Sequence, residues 1–481
     1  MHSRKIYRLL QALPETEIQA FHLYLQSPLL NNSSLLTHFF ELLLPELTKE
    51  PASILSAPNL HQQLPTESKF SKNYFDKLCA TLVKALYDFL QLQELRNNEL
   101  HTLPALMSAM NRLRLDEFIP SLYRNLAQEL EHMPAHDAEW LNAHYLLEYA
   151  YGSYQFRQPR QPGGEQLLRI DQHLDESYFA RKLDLVSALH NYNVLFKEQL
   201  QAPDLKALRT AIEADPDRWP LLIRIKYHTY LLLAEQSEAS FITLMQLLET
   251  EGNSLAGETR SEVYIAALNF CTFQINQGNT SYLQEADQLY MRLIDGGWLL
   301  QKGKLPSEFF KNIISLRLRM GAADWVETFI EEYGDRLSNS HQGMAVLYSR
   351  ALLQFYRDQF EPCIRNLNEV LRDVKSDIYY GIDSRVFLLK AYYLRNLPDD
   401  SYLLESNLNA FRLYILRHKS LGDESRKRYG NILRLFRGLI RLRELPISKR
   451  ANTLKKLQKE IQSLPLSNRV WFEEQVQTLL N

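Results

Sequence analysis

Apolar residues recur every three or four positions through almost the whole chain of 481 residues, and this spacing places them along one face of an α-helix. A well-formed run consists of Phe75, Leu78, Leu82, Leu86 and Phe89. The strict alternation of apolar and polar residues that is typical of strands is nearly missing. We therefore expect an all-α protein with about twenty helices.

Glycine usage favours the same fold class. The chain has 16 glycines, about half of what the usual frequency of ~7% would give. Proteins built from sheets depend on glycine for tight turns and bulges, so its scarcity indicates helices. The 45% hydrophobic and 23% charged residues are typical of a well-packed soluble protein.

The three cysteines, Cys79, Cys271 and Cys363, lie far apart and form no CxxC pair. This pattern argues against a disulfide framework and against a cysteine zinc site, and it favours a reducing compartment. No stretch approaches 18 uninterrupted apolar residues, so no membrane span is expected. We expect a cytoplasmic protein.

The best candidate for a domain boundary is the stretch QFRQPRQPGG, residues 155–164. Its two prolines and two glycines, with almost no apolar residue, are typical of a linker. An N-terminal helical region would then span residues 1–155, and a C-terminal helical-repeat region residues 165–481. A long loop between two helices is the alternative, and the sequence leaves both open.

The segment VLYSRALLQFYRDQFEPCIRNLNEVL, residues 346–371, has the pattern of an antiparallel helix pair. Laid on the tetratricopeptide pattern, Ala351 takes the small position of the first helix and Cys363 that of the second. The equivalent second-helix positions upstream are Val326 and Ala286. Their spacings of 37 and 40 residues exceed the ~34 residues of a regular unit. We predict a degenerate tetratricopeptide-like α-solenoid of stacked antiparallel helix pairs.

Cys363 also raises a chemical alternative. It follows Pro362 at the expected start of a helix, and a helix N-terminus can lower the pKa of a thiol. The neighbouring Glu361 opposes such a lowering, whereas a close helix crossing needs a small residue at this position. We interpret Cys363 as a packing residue, with a reactive thiol as the alternative.

Five stretches that span most of the chain, in the expected order, resemble a bacterial family of helical proteins. They are QAFHLYLQSPLLNNSSLLTHFFELLLPEL, NYFDKLCATLVKALYDFL, LDESYFARKLDLVSALHNYNVLF, SDIYYGIDSRVFLLKAYYLRN and LNAFRLYILRHKSL. They are helix-packing patterns and not catalytic signatures. The resemblance implies an all-helical, tetratricopeptide-like array; no activity is established for the family, so no functional residue is carried over.

Motifs for catalysis or metal binding are weak. The glycines of GGWLLQKGKL, residues 296–305, have the wrong spacing for a phosphate loop, and no Ser or Thr follows its lysine. His132 and His136 have the spacing of a helical metal site, but Pro134 lies between them. No HExxH, GxSxG or GxGxxG occurs. We predict no catalytic residue, cofactor or metal ion, and leave open a site assembled from distant helices.

Charge is the one uneven property of the sequence. Residues 412–460 hold 15 Lys and Arg against 4 Asp and Glu, a net charge of +11, although the whole chain carries −2. Helical spacing places four of these cations on one exposed face, named here the basic stripe: Lys427, Arg434, Arg437 and Arg441. The stripe is either the solubilising face of a terminal repeat or a patch for an acidic partner, phosphate or nucleic acid.

Stacked helix pairs present a long concave surface, which repeat proteins use to bind partners. We therefore predict a non-enzymatic scaffold for an unknown protein or peptide partner. Tyr348 and Tyr356, both on a first helix, are candidate contact residues, with a place in the core as the alternative for each. Nucleic-acid or phosphate binding through the basic stripe is the second candidate function, and an enzyme is the third.

Overall fold

The structure is a computed structural model of the chain. It describes residues 4–49, 54–66, 69–133, 136–158, 164–196, 200–300, 303–338, 342–373, 378–418, 421–466 and 468–480. Within these ranges the protein has 23 α-helices, a few short 3-10 turns and no β-strand. The predicted all-α class is confirmed for this part of the chain.

The helices follow one another closely along the sequence. They are α1 (Lys5–Gln11), α2 (Glu15–Gln26), α3 (Ser34–Leu43), α4 (Ala57–Gln62), α5 (Lys72–Asn97), α6 (Glu99–Arg112), α7 (Ile119–Glu131), α8 (Ala138–Gln155), α9 (Gly164–Phe196), α10 (Lys206–Ala214), α11 (Leu221–Glu235), α12 (Glu238–Thr250), α13 (Gly257–Asn276), α14 (Tyr282–Asp295), α15 (Ser307–Arg319), α16 (Ala323–Tyr333), α17 (Gln342–Tyr356), α18 (Phe360–Asp373), α19 (Ile378–Arg395), α20 (Asp400–Arg417), α21 (Asp423–Glu444), α22 (Arg450–Ser463) and α23 (Arg469–Thr478).

Several helices begin where the sequence supplies a capping hydroxyl. The Oγ atoms of Ser33, Ser71 and Ser237 each accept the backbone N–H three residues further on, at 3.3, 3.1 and 3.2 Å. A helix start leaves its first N–H groups without partners, and a serine at this position typically stabilises it by about 1 kcal/mol. The starts of α3, α5 and α12 are therefore encoded locally.

The chain forms two compact units, and the division falls inside α9. Unit 1 comprises Met1–Met133 and Glu139–Asp175, and unit 2 comprises Pro134–Ala138 and Glu176–Asn481. The predicted boundary at residues 155–164 stays a prediction, since residues 159–163 lie outside the described ranges.

Unit 1 has its main core around α5, the helix that carries the apolar run from Phe75 to Phe89. Helices α1, α2 and α3 all pack against α5. Rings interlock there edge to face: Phe21 against Phe40 with centroids 5.1 Å apart, and Phe39 against Phe75 at 5.4 Å. Such aromatic pairs stabilise a core beyond the area that they bury.

Unit 2 is built mainly from consecutive helix pairs. The members of each pair contact one another and are joined by loops of two to five residues, so they run antiparallel. The pairs are α11/α12, α13/α14, α15/α16, α17/α18 and α19/α20, followed by α21/α22 and the single helix α23. First helices of neighbouring pairs also contact one another: α11 packs on α13, α15 on α17, and α17 on α19.

One backbone feature recurs in five successive pairs. The loop after the first helix contains a residue in the left-handed region of φ. These residues are Gln236 (φ 52°), Gly278 (100°), Gly321 (81°), Asp358 (57°) and Asn396 (51°). Their spacings are 42, 43, 37 and 38 residues. A left-handed residue at a helix end lets backbone N–H groups bond to the last carbonyls of the helix, and the chain turns sharply there. These five pairs therefore reverse direction through the same kind of turn.

The small residues predicted at the crossing of α17 and α18 are buried. Ala351 and Cys363 are both 0% exposed, and the upstream second-helix positions Val326 and Ala286 are 0% and 2% exposed. Burial raises the pKa of the Cys363 thiol to about 12. Because a reactive cysteine needs an accessible thiolate, these surroundings favour the packing role.

Candidate functional site

Two grooves in unit 2 lie on the face formed by first helices. The Lys390 groove has a volume of about 500 Å³ and is lined by α13, α15, α17 and α19, by the start of α14, and by α23. The Asp184 groove has a volume of about 460 Å³ and is lined by α9, α11 and α13. Helix α13 contributes to both, with its first half to the Asp184 groove and its last turn to the Lys390 groove.

Lys390 lies in the wall of its groove and is 4% exposed. It belongs to the apolar run VFLLKAYYL of α19, so the helix carries its side chain into a buried position. Its Nζ donates to Oδ1 of Asn468 at 2.8 Å and lies 4.9 and 5.0 Å from the ring centroids of Phe387 and Trp471. An ammonium has three donors, and a single neutral amide accepts one of them.

Burial lowers the pKa of Lys390 to about 7, and the positive charge of Arg319 lowers it further. The carboxylates of Glu474 and Asp383 act in the opposite direction but do not compensate. Neither lies within ion-pair distance of the amine among the described residues. Lys390 is therefore a buried amine that titrates near neutral pH, a property that concentrates at functional sites.

Four other charged groups line the groove: Arg319, Asp383, Arg469 and Glu474. Asp383 is held by Lys311, whose Nζ lies 2.9 Å from Oδ2 of Asp383. Arg469 donates to the last carbonyls of α22, including that of Gln462 at 2.8 Å. Arg319 is exposed and makes no hydrogen bond or ion pair with a described residue. Among the described residues, the groove thus presents an unpaired guanidinium on Arg319, an exposed carboxylate on Glu474 and a partly satisfied amine on Lys390.

Aromatic rings form the apolar part of the groove. Trp471 is fixed by Tyr393 and Phe436, with ring centroids at 5.8 and 5.3 Å, and Phe387 lies edge-on to Phe355 at 5.2 Å. Rings that are already held by neighbours lose little entropy on binding, so they are suited to anchor a ligand side chain.

The two tyrosines named from the sequence both line this groove. Tyr348 is 1% exposed and packs edge-on against Tyr380 at 5.2 Å, so it belongs to the floor. Tyr356 is 39% exposed and presents its ring to solvent. Burial raises the pKa of both hydroxyls. The structure brings the pair together but makes only Tyr356 accessible to a ligand.

The basic stripe lies on α21, away from the residues that line the Lys390 groove, and all four of its cations are exposed. Two are already engaged: Arg434 pairs with Glu460 at 2.6 Å, and Arg437 lies 3.8 Å from Glu405. Lys427 and Arg441 have no ion pair with a described residue. Half of the predicted stripe is therefore partly neutralised within the fold.

The weaker sequence candidates stay apart from the groove. Among the described residues no group of three or more His, Cys, Asp or Glu side chains is arranged to hold a metal ion. Of the segment 296–305, residues 301–302 lie outside the described ranges, as does Pro134 between His132 and His136. None of the helices in the described parts combines the length and apolar character needed to cross a bilayer.

Sequence reasoning missed Arg319, Phe387, Lys390 and Trp471. Only Lys390 carried a usable signal. A lysine inside an apolar helical run normally extends its amine to solvent, and lysine is almost never fully buried unless it is paired. Its partner Asn468 is 78 residues away in sequence. No local pattern indicates that these residues meet.

A scan against models of known protein families matched none of them, and a search of curated proteins returned no significant match. The grooves of unit 2 therefore provide the evidence on function.

Proposed function

We propose that this protein is a non-enzymatic scaffold whose unit 2 is a tetratricopeptide-like array that binds a peptide segment of a partner protein. The five left-handed turns, spaced 37 to 43 residues apart, support a repeated helix-pair architecture. A degenerate unit of this length matches the spacings read from Ala286, Val326 and Cys363. A reducing compartment, such as the cytoplasm of a bacterium, suits its three buried thiols.

The observation that carries this proposal is that both grooves are lined largely by first helices, which form the face that helical repeats use for binding. The Asp184 groove adds hydroxyl and amide side chains from α9 and from two successive first helices. They are Ser187 and Asn191 of α9, Thr229 of α11, and Asn269 of α13. Such groups can both donate to and accept from the backbone of an extended peptide.

Display of random decapeptides against the full chain tests this proposal. Selected peptides are synthesised and titrated by fluorescence anisotropy. We expect Tyr356→Ala and Phe387→Ala to weaken binding about tenfold or more, as for aromatic anchors elsewhere. Tyr402→Ala is the matched control, because Tyr402 lies on the second helix α20 and is 80% exposed.

The proposal is wrong if no peptide is selected, or if every selected peptide binds the groove variants as tightly as the wild type. Nucleic-acid binding through the basic stripe ranks second, since two of its four arginine and lysine side chains already face carboxylates.

A further inference from the structure

The Lys390 groove has an unusual set of unsatisfied donors. Lys390 is 4% exposed and has a single hydrogen bond, to the neutral amide of Asn468. Arg319 faces the same groove without a partner, and the Tyr356 hydroxyl has no acceptor among the described residues. Buried charged groups are normally paired, because an unpaired charge away from water is costly.

Resting on the function proposed above, we infer that the Lys390 groove binds an oxyanion of the peptide, a carboxylate or phosphate, between Lys390 and Arg319. The ammonium and the guanidinium would each donate charge-assisted hydrogen bonds to it, which are among the strongest in proteins. The rings of Tyr356, Phe387 and Trp471 would contact the apolar part of the same peptide.

The remaining charged groups of the groove do not fill this position. On α19, Asp383 is occupied by Lys311 of α15. On α23, Arg469 is bound to carbonyls of α22, and Glu474 is exposed and beyond ion-pair distance of Lys390. An arriving anion therefore meets two cations, neither of which forms an ion pair with Asp383 or Glu474.

Binding of an anion should be coupled to protonation of Lys390. The pKa of this amine is about 7 in the empty groove, where burial and Arg319 lower it. An anion beside it favours the charged form and so raises that pKa. The affinity should then fall by up to tenfold for each pH unit above about 7, until the pKa of the complex is reached.

Four pools of fluorescein-labelled random nonapeptides test the inference with the full chain. Three pools have amidated C-termini and a fixed central residue, which is glutamate, phosphoserine or glutamine. The fourth has central glutamine and a free terminal carboxylate. We expect at least one anionic pool to bind about 10- to 100-fold tighter than the amidated glutamine pool. The tightest pool identifies the source of the oxyanion.

Lys390→Met and Arg319→Gln should each abolish that preference. Arg319 is exposed, so its variant keeps the fold even if Lys390→Met perturbs it. The matched control is Arg350→Gln, which removes an exposed arginine of α17 that does not line this groove. The preference should persist there.

Two results would overturn the inference, and they differ in what else they overturn. If the amidated glutamine pool binds as tightly as the anionic pools, the groove binds peptides without an anion anchor and the proposed function stands. If no pool binds, the proposed function is wrong as well.

Discussion

Glu148 of unit 1 and Lys390 of unit 2 are both buried charged side chains, and their surroundings differ in kind. Glu148, 6% exposed, accepts hydrogen bonds from Tyr123 and from Gln166 at 2.7 Å, and Arg169 lies 3.7 Å away. Lys390 has one neutral acceptor and two aromatic faces. We call the carboxylate of Glu148 saturated, because both of its oxygens accept hydrogen bonds. We call the amine of Lys390 unsaturated, because one acceptor among the described residues serves its three donors.

Unit 2 itself contains a saturated example. Asp400 is 2% exposed, and it accepts from Arg395 at 3.0 Å and from the Leu397 N–H at 2.8 Å. Burial alone would raise the pKa of Asp400, but these hydrogen bonds outweigh burial and lower it. Saturated charges hold neighbouring helices in place. An unsaturated charge in a groove can instead interact with a ligand, and the proposed role of Lys390 rests on this difference.

The largest effect on stability should come from removing the carboxylate of Glu148. Glu148→Ala removes the acceptor of Tyr123 and Gln166, so it should destabilise unit 1 by about 3 kcal/mol. Hydrogen exchange of the amides of α7 and α8 measures this loss within unit 1. Glu148→Gln keeps one acceptor and should cost about 1 kcal/mol. Equal effects of both variants would mean that the network contributes little.

The second effect concerns a position of unit 2 where no space is left. Cys363→Trp overfills the crossing of α17 and α18 and should cost ~1–3 kcal/mol, whereas Cys363→Ala should cost about 1 kcal/mol. Chemical unfolding followed by circular dichroism measures both. Rapid labelling of this thiol in the native protein would contradict its assignment as a packing residue.

The third effect has the opposite sign and tests the unsaturated amine directly. Lys390→Met should stabilise unit 2 by about 2 kcal/mol below pH 7, because burial disfavours the ammonium that the wild type carries there. The contacts of the ammonium with aromatic rings offset part of this penalty. The folded pKa of about 7 lies below the usual 10.5. The unfolded chain therefore binds more protons between these values, and wild-type stability rises with pH across that window.

The gain from Lys390→Met should accordingly shrink as pH rises from 7 towards 10.5. Unfolding titrations of both proteins at several pH values measure it. If Lys390→Met is less stable than the wild type at every pH, Lys390 stabilises the fold in the way that Glu148 and Asp400 do.

The smallest effect is expected at the basic stripe. Lys427→Gln and Arg441→Gln remove exposed cations without ion pairs, so each should change stability by less than ~0.5 kcal/mol. If the stripe contacts phosphates, the wild type should retain single-stranded DNA at about 50 mM salt and release it by about 200 mM. If the wild type retains no nucleic acid even at about 50 mM salt, nucleic-acid binding through the stripe is ruled out.

The helices could be predicted from sequence because their signals are local. The run through Phe75 and Leu86, and the small residues Ala351 and Cys363, lie within one helix or one helix pair. The turns at Gly278 and Gly321 also carry a local signal, since glycine readily adopts positive φ. Gln236 gave no such signal, because positive φ is uncommon for residues other than glycine, and glutamine is not among those enriched there.

The groove could not be predicted, because its parts are distant in sequence. Tyr356 was identified as a candidate from its place on a first helix. Its meeting with Arg319, Lys390 and Trp471 depends on how helices α15, α17, α19 and α23 pack. Periodicity assigns a residue to a face of its own helix and gives no information on which other helix that face meets.

The left-handed turns of unit 2 also bear on how such a chain can grow. Five successive helix pairs return through a single residue of this kind, and 37 to 43 residues separate one from the next. A gene duplication of that length adds one complete pair, with both packing faces intact. A duplication of half that length leaves a helix without its mate and an apolar face in water. The turns thus mark the increments by which the helix array of unit 2 can lengthen or shorten.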